Sequence, residues 1–294
     1  MAFFSPPILE KLLETYANIP MSQVDFVNGK TRVYGIVGDP IEQVRSPEMV
    51  TWEMQKRHHN AVLIPIHIAR DEFDTLMPHI MRMQNLDGLI FTIPFKAKAI
   101  TLAKTLGPQA SQIGAINALK KHSNGEWSGE IFDGMGCVEA FKKRGITLQD
   151  KRSQLIGLGG AGSAICVALA YEHPRLMRLF DLNPQTIERM VKLVKKISPQ
   201  TDVEIGEPHS EGVDILLNAS PVGMLSDARL PLIAEKFNKE LIVFDAIVMP
   251  ENTPLLNLAQ DCGCEVVRGR EMMLGQISKI VDTKTVLNFP ITCL

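Results

Sequence analysis

The chain has 294 residues, 45% of them hydrophobic, with 21 glycines and 18 prolines; this is ordinary globular usage and excludes collagen-like, mucin-like and wholly disordered chains. Its 31 Lys and Arg against 33 Asp and Glu leave a formal net charge of -2, which offers no general basic footprint for nucleic acid. Five cysteines are too few for a disulfide scaffold, Cys262 and Cys264 have no second pair at zinc-site spacing, and the opening M-A-F-F-S-P-P carries no basic leader, so a reduced cytoplasmic chain with no membrane span is expected.

In chain order, Ile8 to Tyr16 reads as a short helix in an N-terminal arm over residues 1–30, set off by a polar turn at Asn28 and Gly29. Apolar runs at Val33 to Val37, Ala61 to Ile68 and Leu86 to Ile93 read as strands, with helices over Glu48 to Arg57 and Asp71 to Met83 between them. Ser46 before Pro47 suits an N-cap followed by a first helical residue that has no amide to lose. A second series begins near Lys151, with strands at Gln154 to Ile156, Met177 to Phe180, Val213 to Leu217 and Leu241 to Phe244. Asn183 and Pro184 start a helix whose Ile187, Met190, Val191 and Val194 form one apolar stripe. Strand-helix alternation twice over gives two α/β domains, each with a mixed or mostly parallel sheet. His58, His59, His67 and His79 are not spaced as a metal site, and no metal is expected. Composition fits a monomer or a homodimer.

The segment Q-L-I-G-L-G-G-A-G-S-A-I places Gly157, Gly159 and Gly162 between an apolar strand and a helix, as a dinucleotide fingerprint requires. The first glycine allows the tight turn, the second lets backbone approach a pyrophosphate, and the third allows close helix packing; the free amides at the helix start receive anionic oxygens. A glycine-rich turn without a ligand is the plainer alternative. Asp181 closes the next strand, where a carboxylate can accept the ribose hydroxyls of NAD and repel the extra phosphate of NADP. Leu182 beside it supplies no cation, so NAD is expected over NADP; a helix cap or a solvated loop carboxylate are the competing roles for Asp181.

Lys96 ends F-T-I-P-F-K, and Asp133 follows the turn in G-E-I-F-D-G-M-G. A lysine can move a proton at a carbinol oxygen while a carboxylate orients its ammonium. A surface lysine and a turn or cap aspartate are the alternatives.

Along the chain come G-D-P-I-E-Q-V-R-S-P, F-T-I-P-F-K, I-G-A-I-N-A, G-E-I-F-D-G-M-G, G-L-G-G-A-G, N-A-S-P-V-G-M and G-R-E-M-M-L-G-Q. This series resembles the shikimate dehydrogenase family, including its quinate-using and divergent members, over nearly the whole chain after Thr31. The resemblance implies a substrate domain over residues 31–132, a Rossmann-like NAD(P) domain over 133–268, and a return of 269–294 to the substrate domain, with a cleft between the two. It implies Lys96 and Asp133 as the catalytic pair and Ser46, Thr92, Asn117 and Gln276 as substrate contacts. It also implies cofactor contacts from Gly157, Gly159, Gly160, Ala161, Gly162 and Asp181, from Asn218, Ser220, Pro221 and Met224, and from Gly269. The activity implied is reversible hydride transfer between a ring secondary alcohol and nicotinamide, within aromatic amino acid biosynthesis.

The chain departs from that family pattern where substrate is held. Val44 stands for a serine, Ile90 for an asparagine, Ala118 and Phe132 for threonines, and Val248 for a tyrosine. Each lost partner of a buried ligand group costs about 1–3 kcal/mol, so a conventional shikimate pose is disfavoured. Arg45 could supply a replacement cation. The expected partner is therefore a small cyclic hydroxy acid, with no nucleic acid and no membrane. A non-catalytic NAD or metabolite sensor is the alternative from another class.

Overall fold

The computed structural model describes residues 27–234 and 236–281. The helix expected over Ile8 to Tyr16 and the expected returning segment beyond Val281 lie outside the described residues.

The first sheet opens with β1 (Arg32–Gly38), α1 (Ser46–Lys56), β2 (Ala61–His67), α2 (Phe73–Ile80) and β3 (Leu86–Phe91). A 3-10 turn at Lys98–Leu102, β4 (Thr105–Leu106), α3 (Pro108–Ile113), β5 (Ala118–Lys121) and β6 (Trp127–Glu130) complete it. Its order is β2-β1-β3-β5-β6-β4, with β1, β2 and β3 parallel and β5 antiparallel to both neighbours. The sheet is thus mixed. The hairpin of β5 and β6 escaped the sequence reading because A-L-K-K and W-S-G-E are short and carry charge.

After α4 (Asp133–Lys143) come β7 (Arg152–Ile156), α5 (Gly160–Tyr171), β8 (Leu176–Phe180), α6 (Pro184–Ile197), β9 (Asp202–Ile205), β10 (Ile215–Asn218) and β11 (Ile242–Asp245). The last described elements are α7 (Pro254–Asp261), β12 (Glu265–Arg268) and α8 (Gly269–Val281). The second sheet is parallel throughout, in the order β12-β11-β10-β7-β8-β9. The order reverses direction between β7 and β10, and in such sheets the crevice beyond the carboxyl ends of the strands at that point is where ligands bind. β7 is buried from Ser153 to Ile156, polar residues included, because it lies inside the sheet with both of its faces covered.

Two helices tie the sheets together. Residues 162–170 of α5 are all buried, the pattern of a helix with no solvent face. Its Ile165, Cys166, Ala168 and Leu169 join the core under the second sheet, while Ala164 and Val167 join the core of the first with Phe73, Phe91 and Phe95. On α8, Met272 packs in the second core and Ile277 packs with Val50, Met54 and Ile36 on the first sheet.

Helix α6 begins where expected: the Asn183 side chain accepts from the amides of Gln185 and Thr186. Ser46 is not the cap of α1. Arg45 holds that position without a side-chain bond, Ser46 is the first helical residue, and its hydroxyl turns to the thioether of Met273 on α8 at 3.7 Å. The helix expected over Asp71 to Met83 is shorter at both ends, and β3 stops at Phe91, where the chain turns into Ile93 and Pro94. Among the described residues no helix is long and apolar enough to cross a membrane.

Candidate active site

Beyond β3 the chain is pinned before it reaches Lys96. The Phe95 amide donates to the Thr92 carbonyl at 2.8 Å, and the Phe95 ring stacks on Phe73 with centroids 4.5 Å apart. The Lys96 carbonyl accepts from Ile116 at 2.9 Å, which leaves the side chain to project past the sheet end. Its Nζ donates to Oδ2 of Asp133 at 2.6 Å. Asp133 is the first residue of α4 and is 4% exposed; the positive end of the helix macrodipole favours its carboxylate there.

The other Asp133 oxygen is held as well. Gln276 Nε2 donates to Oδ1 at 3.2 Å, Asn117 Nδ2 donates to Gln276 Oε1 at 3.1 Å, and the Phe132 amide donates to Asn117 Oδ1 at 2.9 Å. This chain of bonds joins β3, β5, α4 and α8. It depends on a close helix crossing: a Cβ on Gly136 would lie 2.5 Å from the Met272 carbonyl, and one on Gly275 would lie 2.7 Å from that of Gly136. Glycine on both helices lets their backbones meet and carries Gln276 to Asp133. Gln276→Leu should leave Asn117 Nδ2 and one Asp133 oxygen without the partners they have here. A loss of about 1–3 kcal/mol predicts kcat lower by about 5- to 150-fold, with dinucleotide affinity unchanged by fluorescence titration. Gln276→Glu keeps the acceptor for Asn117 but faces a carboxylate with a carboxylate, and should not restore the rate.

The glycine loop lies against this pair. A Cβ on Gly160 would sit 3.0 Å from Lys96 Cβ. Gly157 adopts φ of 86°, and a Cβ there would meet the Ser220 amide nitrogen at 2.7 Å; one on Gly162 would overlap the Gly157 carbonyl oxygen. Among the described residues, its own chain neighbours aside, no atom lies within 4 Å of where a Gly159 Cβ would stand, so the mouth of the loop is open. The first-turn amides of α5, including Gly160, Ala161 and Gly162, have no intrahelical acceptor. An open cradle of such amides at a helix start fits a pyrophosphate.

The turn after β10 closes the far side of the loop. Asn218 is fully buried: Nδ2 donates to Val222 O and to Asp245 Oδ1, each at 3.2 Å, and Oδ1 accepts from the amide and the hydroxyl of Ser220. Pro221 accepts from the Met224 amide at 3.2 Å, which rounds the turn. Gly269 opens α8 against the carbonyls of Ala246 and Ile247, where a side chain would not fit. Ser46 sits one helical turn from Gln276 through Met273, and Thr92 lies against Gly38, whose Cβ would strike its methyl group. Neither makes a side-chain bond to the Lys96 network. Arg45 points along α1 toward Glu48, 3.6 Å away, and lines a cavity of about 230 Å³ with Met49, Val248, Met249, Arg270 and Met273.

Two acids escaped the sequence reading. Glu130 is buried, and Oε1 accepts from the amides of Ala110 and Ile131, tying α3 to the sheet; burial raises its carboxyl above the ordinary range. It lies inside G-E-I-F-D, and its partner amides are far apart in sequence. Asp245 is completely buried at the end of β11, accepts from Thr253 and the Ile247 amide as well as Asn218, and is pushed by burial up to about 6. Its folded value lies above the unfolded one, so its contribution to stability is full below about pH 4 and is lost as pH rises through about 6. Asp245→Asn should flatten the stability difference across that window by about 1–3 kcal/mol, read from thermal melts of both proteins between about pH 4 and 7.

Among the described residues no group of three or more His, Cys, Asp or Glu could hold a metal ion.

Comparison with known proteins bears on this site. Residues 36–119 match the family model described as the shikimate dehydrogenase substrate binding domain. A Pyrococcus furiosus protein named shikimate dehydrogenase (NADP(+)) is 31% identical over 251 residues, covering 85% of this chain and 89% of that protein. The structure of shikimate 5-dehydrogenase from Listeria monocytogenes in complex with shikimate and NAD is similar with a TM-score of 0.75 at 26% identity, covering 87% of this chain and 92% of that one. A shikimate dehydrogenase solved with NADP+ gives a TM-score of 0.78 at 25% identity over 88% and 91% of the two chains.

These findings overturn the expectation that NAD is preferred over NADP. The relatives are named for NADP(+), and solved neighbours carry either dinucleotide. The geometry gives the physical reason. Asp181 does not stand free for a ribose: Oδ2 accepts from the Leu158 amide at 2.6 Å and Oδ1 from the Asn183 amide at 2.8 Å. Its carboxylate holds the glycine loop to the end of β8, a role that selects neither cofactor.

Proposed function

The chain belongs to the shikimate dehydrogenase family, and from that premise we propose that it is an oxidoreductase moving hydride reversibly between a ring alcohol of shikimate, quinate or a related cyclic hydroxy acid and a nicotinamide dinucleotide. The observation that carries the reading is the bonded set Lys96–Asp133–Gln276–Asn117, set against Gly160 of an open phosphate cradle. In this reading residues 31–132 with 269–294 hold substrate, and residues 133–268 hold the dinucleotide.

The dinucleotide, when bound, supplies the hydride acceptor; Gly157, Gly159, Gly160, Ala161 and Gly162 would hold its phosphates, with the Asn218 to Met224 turn beside them. The protein's own task is the proton. Lys96 Nζ takes it from the substrate hydroxyl oxygen and returns it in the reverse direction, while Asp133 keeps the amine aimed and balances its charge. Asn117 and Gln276 hold Asp133 so that the amine meets the reacting oxygen in one orientation. The Asp133 side chain is 6% exposed and that of Lys96 14%, so the lysine is the member of the pair more open to a ligand.

The substrate wall is mostly hydrocarbon. Ile90 and Ala118 stand opposite each other in the register of β3 and β5, and Val44 and Ile90 pack with Met49 and Met273 in one cluster beside Ser46. Phe132 is buried rather than facing a ligand. This supports a ring acid that asks for fewer donors than shikimate. The test is a panel of shikimate, quinate and less hydroxylated ring acids, each with NAD and NADP, followed by the absorbance of reduced nicotinamide. Turnover of at least one ring alcohol is expected. Dinucleotide binding without turnover across the panel would replace the enzyme reading by a sensor.

A further inference from the structure

A second cavity, of about 820 Å³, opens on the other end of the first sheet, away from Lys96. That volume is in the range of small-molecule sites. Lys120 of β5 forms part of it and is 6% exposed; among the described residues its Nζ has no hydrogen-bond partner. Lys120 stands between Gly88 of β3 and Ser128 of β6 in the sheet register, and the ring of Tyr34 from β1 fills the space over Gly88.

The rim is basic. Lys121, His122, His58, His59 and Arg32 all line the cavity, and the one carboxylate among its lining residues, Asp87, is committed to Arg32 by two hydrogen bonds. Lys121 donates to the Met83 carbonyl, and His122 pairs with Ser128. Among the described residues lining this cavity, Lys120 alone is both buried and unsatisfied. Taking an ammonium out of water without a partner is costly, and burial lowers this one to about 8. Among the described residues no acid answers it.

We propose that this cavity is a second ligand site, which takes a small anionic metabolite whose carboxylate or phosphate pairs with Lys120. The anion replaces the hydration that Lys120 has lost, and Lys121 beside it adds complementary potential at the entrance. The site uses no member of the Lys96 network, so it stands or falls independently of the proposed dehydrogenase activity.

The probe is pyridoxal 5'-phosphate with borohydride, on the full chain. The Lys120 amine attacks the aldehyde carbon, water leaves, and borohydride delivers hydride to the carbon of the resulting C=N bond to leave a stable secondary amine, mapped by mass spectrometry. Labelling at Lys120 is expected, suppressed at least about tenfold by inorganic phosphate, by citrate or by both, and the pattern of suppression tells phosphate from carboxylate. By calorimetry, the effective anion should bind Lys120→Met at least about tenfold more weakly than wild type. That substitution puts hydrocarbon in place of an unpartnered buried charge and so keeps the fold, and Lys120→Arg should recover part of the affinity. Absence of label at Lys120, labelling indifferent to both anions, or equal affinity in Lys120→Met would overturn the proposal.

Discussion

Lys96→Ala should lower kcat by about 10²- to 10⁴-fold, the usual weight of a positioned acid–base group, while dinucleotide affinity stays within about threefold of wild type. The split between the two readouts is what makes the prediction specific. Among the described residues the Lys96 amine bonds only to Asp133, and Gly160 lies beside its aliphatic stem, so removing the amine takes away the proposed proton carrier without opening the phosphate cradle. Lys96→Arg should fail to rescue. A guanidinium keeps the charge and can pair with Asp133, but it does not give up a proton near neutral pH. Rescue by arginine would mean that Lys96 works only as a charge. Truncation also leaves Asp133 with Gln276 as its one side-chain donor among the described residues, so the melting temperature should fall.

The second large effect separates the two roles of the glycine loop. At Gly162 a Cβ would overlap the Gly157 carbonyl oxygen, a backbone atom that has nowhere to go because Gly157 itself is pressed against Ser220. Gly162→Ala should therefore destabilise the fold by about 1–3 kcal/mol, as overpacking does, and weaken dinucleotide binding as well. Gly159 differs. Its backbone sits at φ of -62°, a value open to any residue, and no atom lies within 4 Å of a Cβ there. Gly159→Ala should leave the melting temperature near wild type and still weaken dinucleotide binding, because the new methyl group stands in the open mouth where the pyrophosphate approaches. Equal destabilisation by both substitutions would argue that the loop serves packing alone.

What was legible in the sequence was local. Strand-helix alternation, the glycine spacing after β7, and the Asn183 and Pro184 start of α6 are signals carried within a few residues, and each appears where it was expected. Lys96 and Asp133 were readable as types at strand and turn ends, but their meeting was not, since it depends on how β3 and α4 are brought together. The Asn117 to Gln276 bond spans most of the chain and rests on the Gly136 and Gly275 crossing. Ser46 shows how a sound local rule loses. A hydroxyl before proline can cap a helix, but here a thioether from α8 competes for it. Asp181 fails for a similar reason: its position after β8 is the expected one, yet two backbone amides reach it first. Lys120 carried no signal at all. In A-L-K-K it reads as one of two solvated lysines, and only the register of β5 between β3 and β6 puts one of them inside.

Direct hydride transfer from a ring alcohol beside Lys96 is read most plainly by an isotope experiment. The ring alcohol that turns over is prepared with deuterium on its carbinol carbon, incubated with the protein and oxidised dinucleotide, and the reduced dinucleotide is isolated for mass and NMR analysis. Deuterium is expected on C4 of the nicotinamide, together with slower turnover than with the unlabelled alcohol. Reduced dinucleotide that carries no deuterium would contradict it.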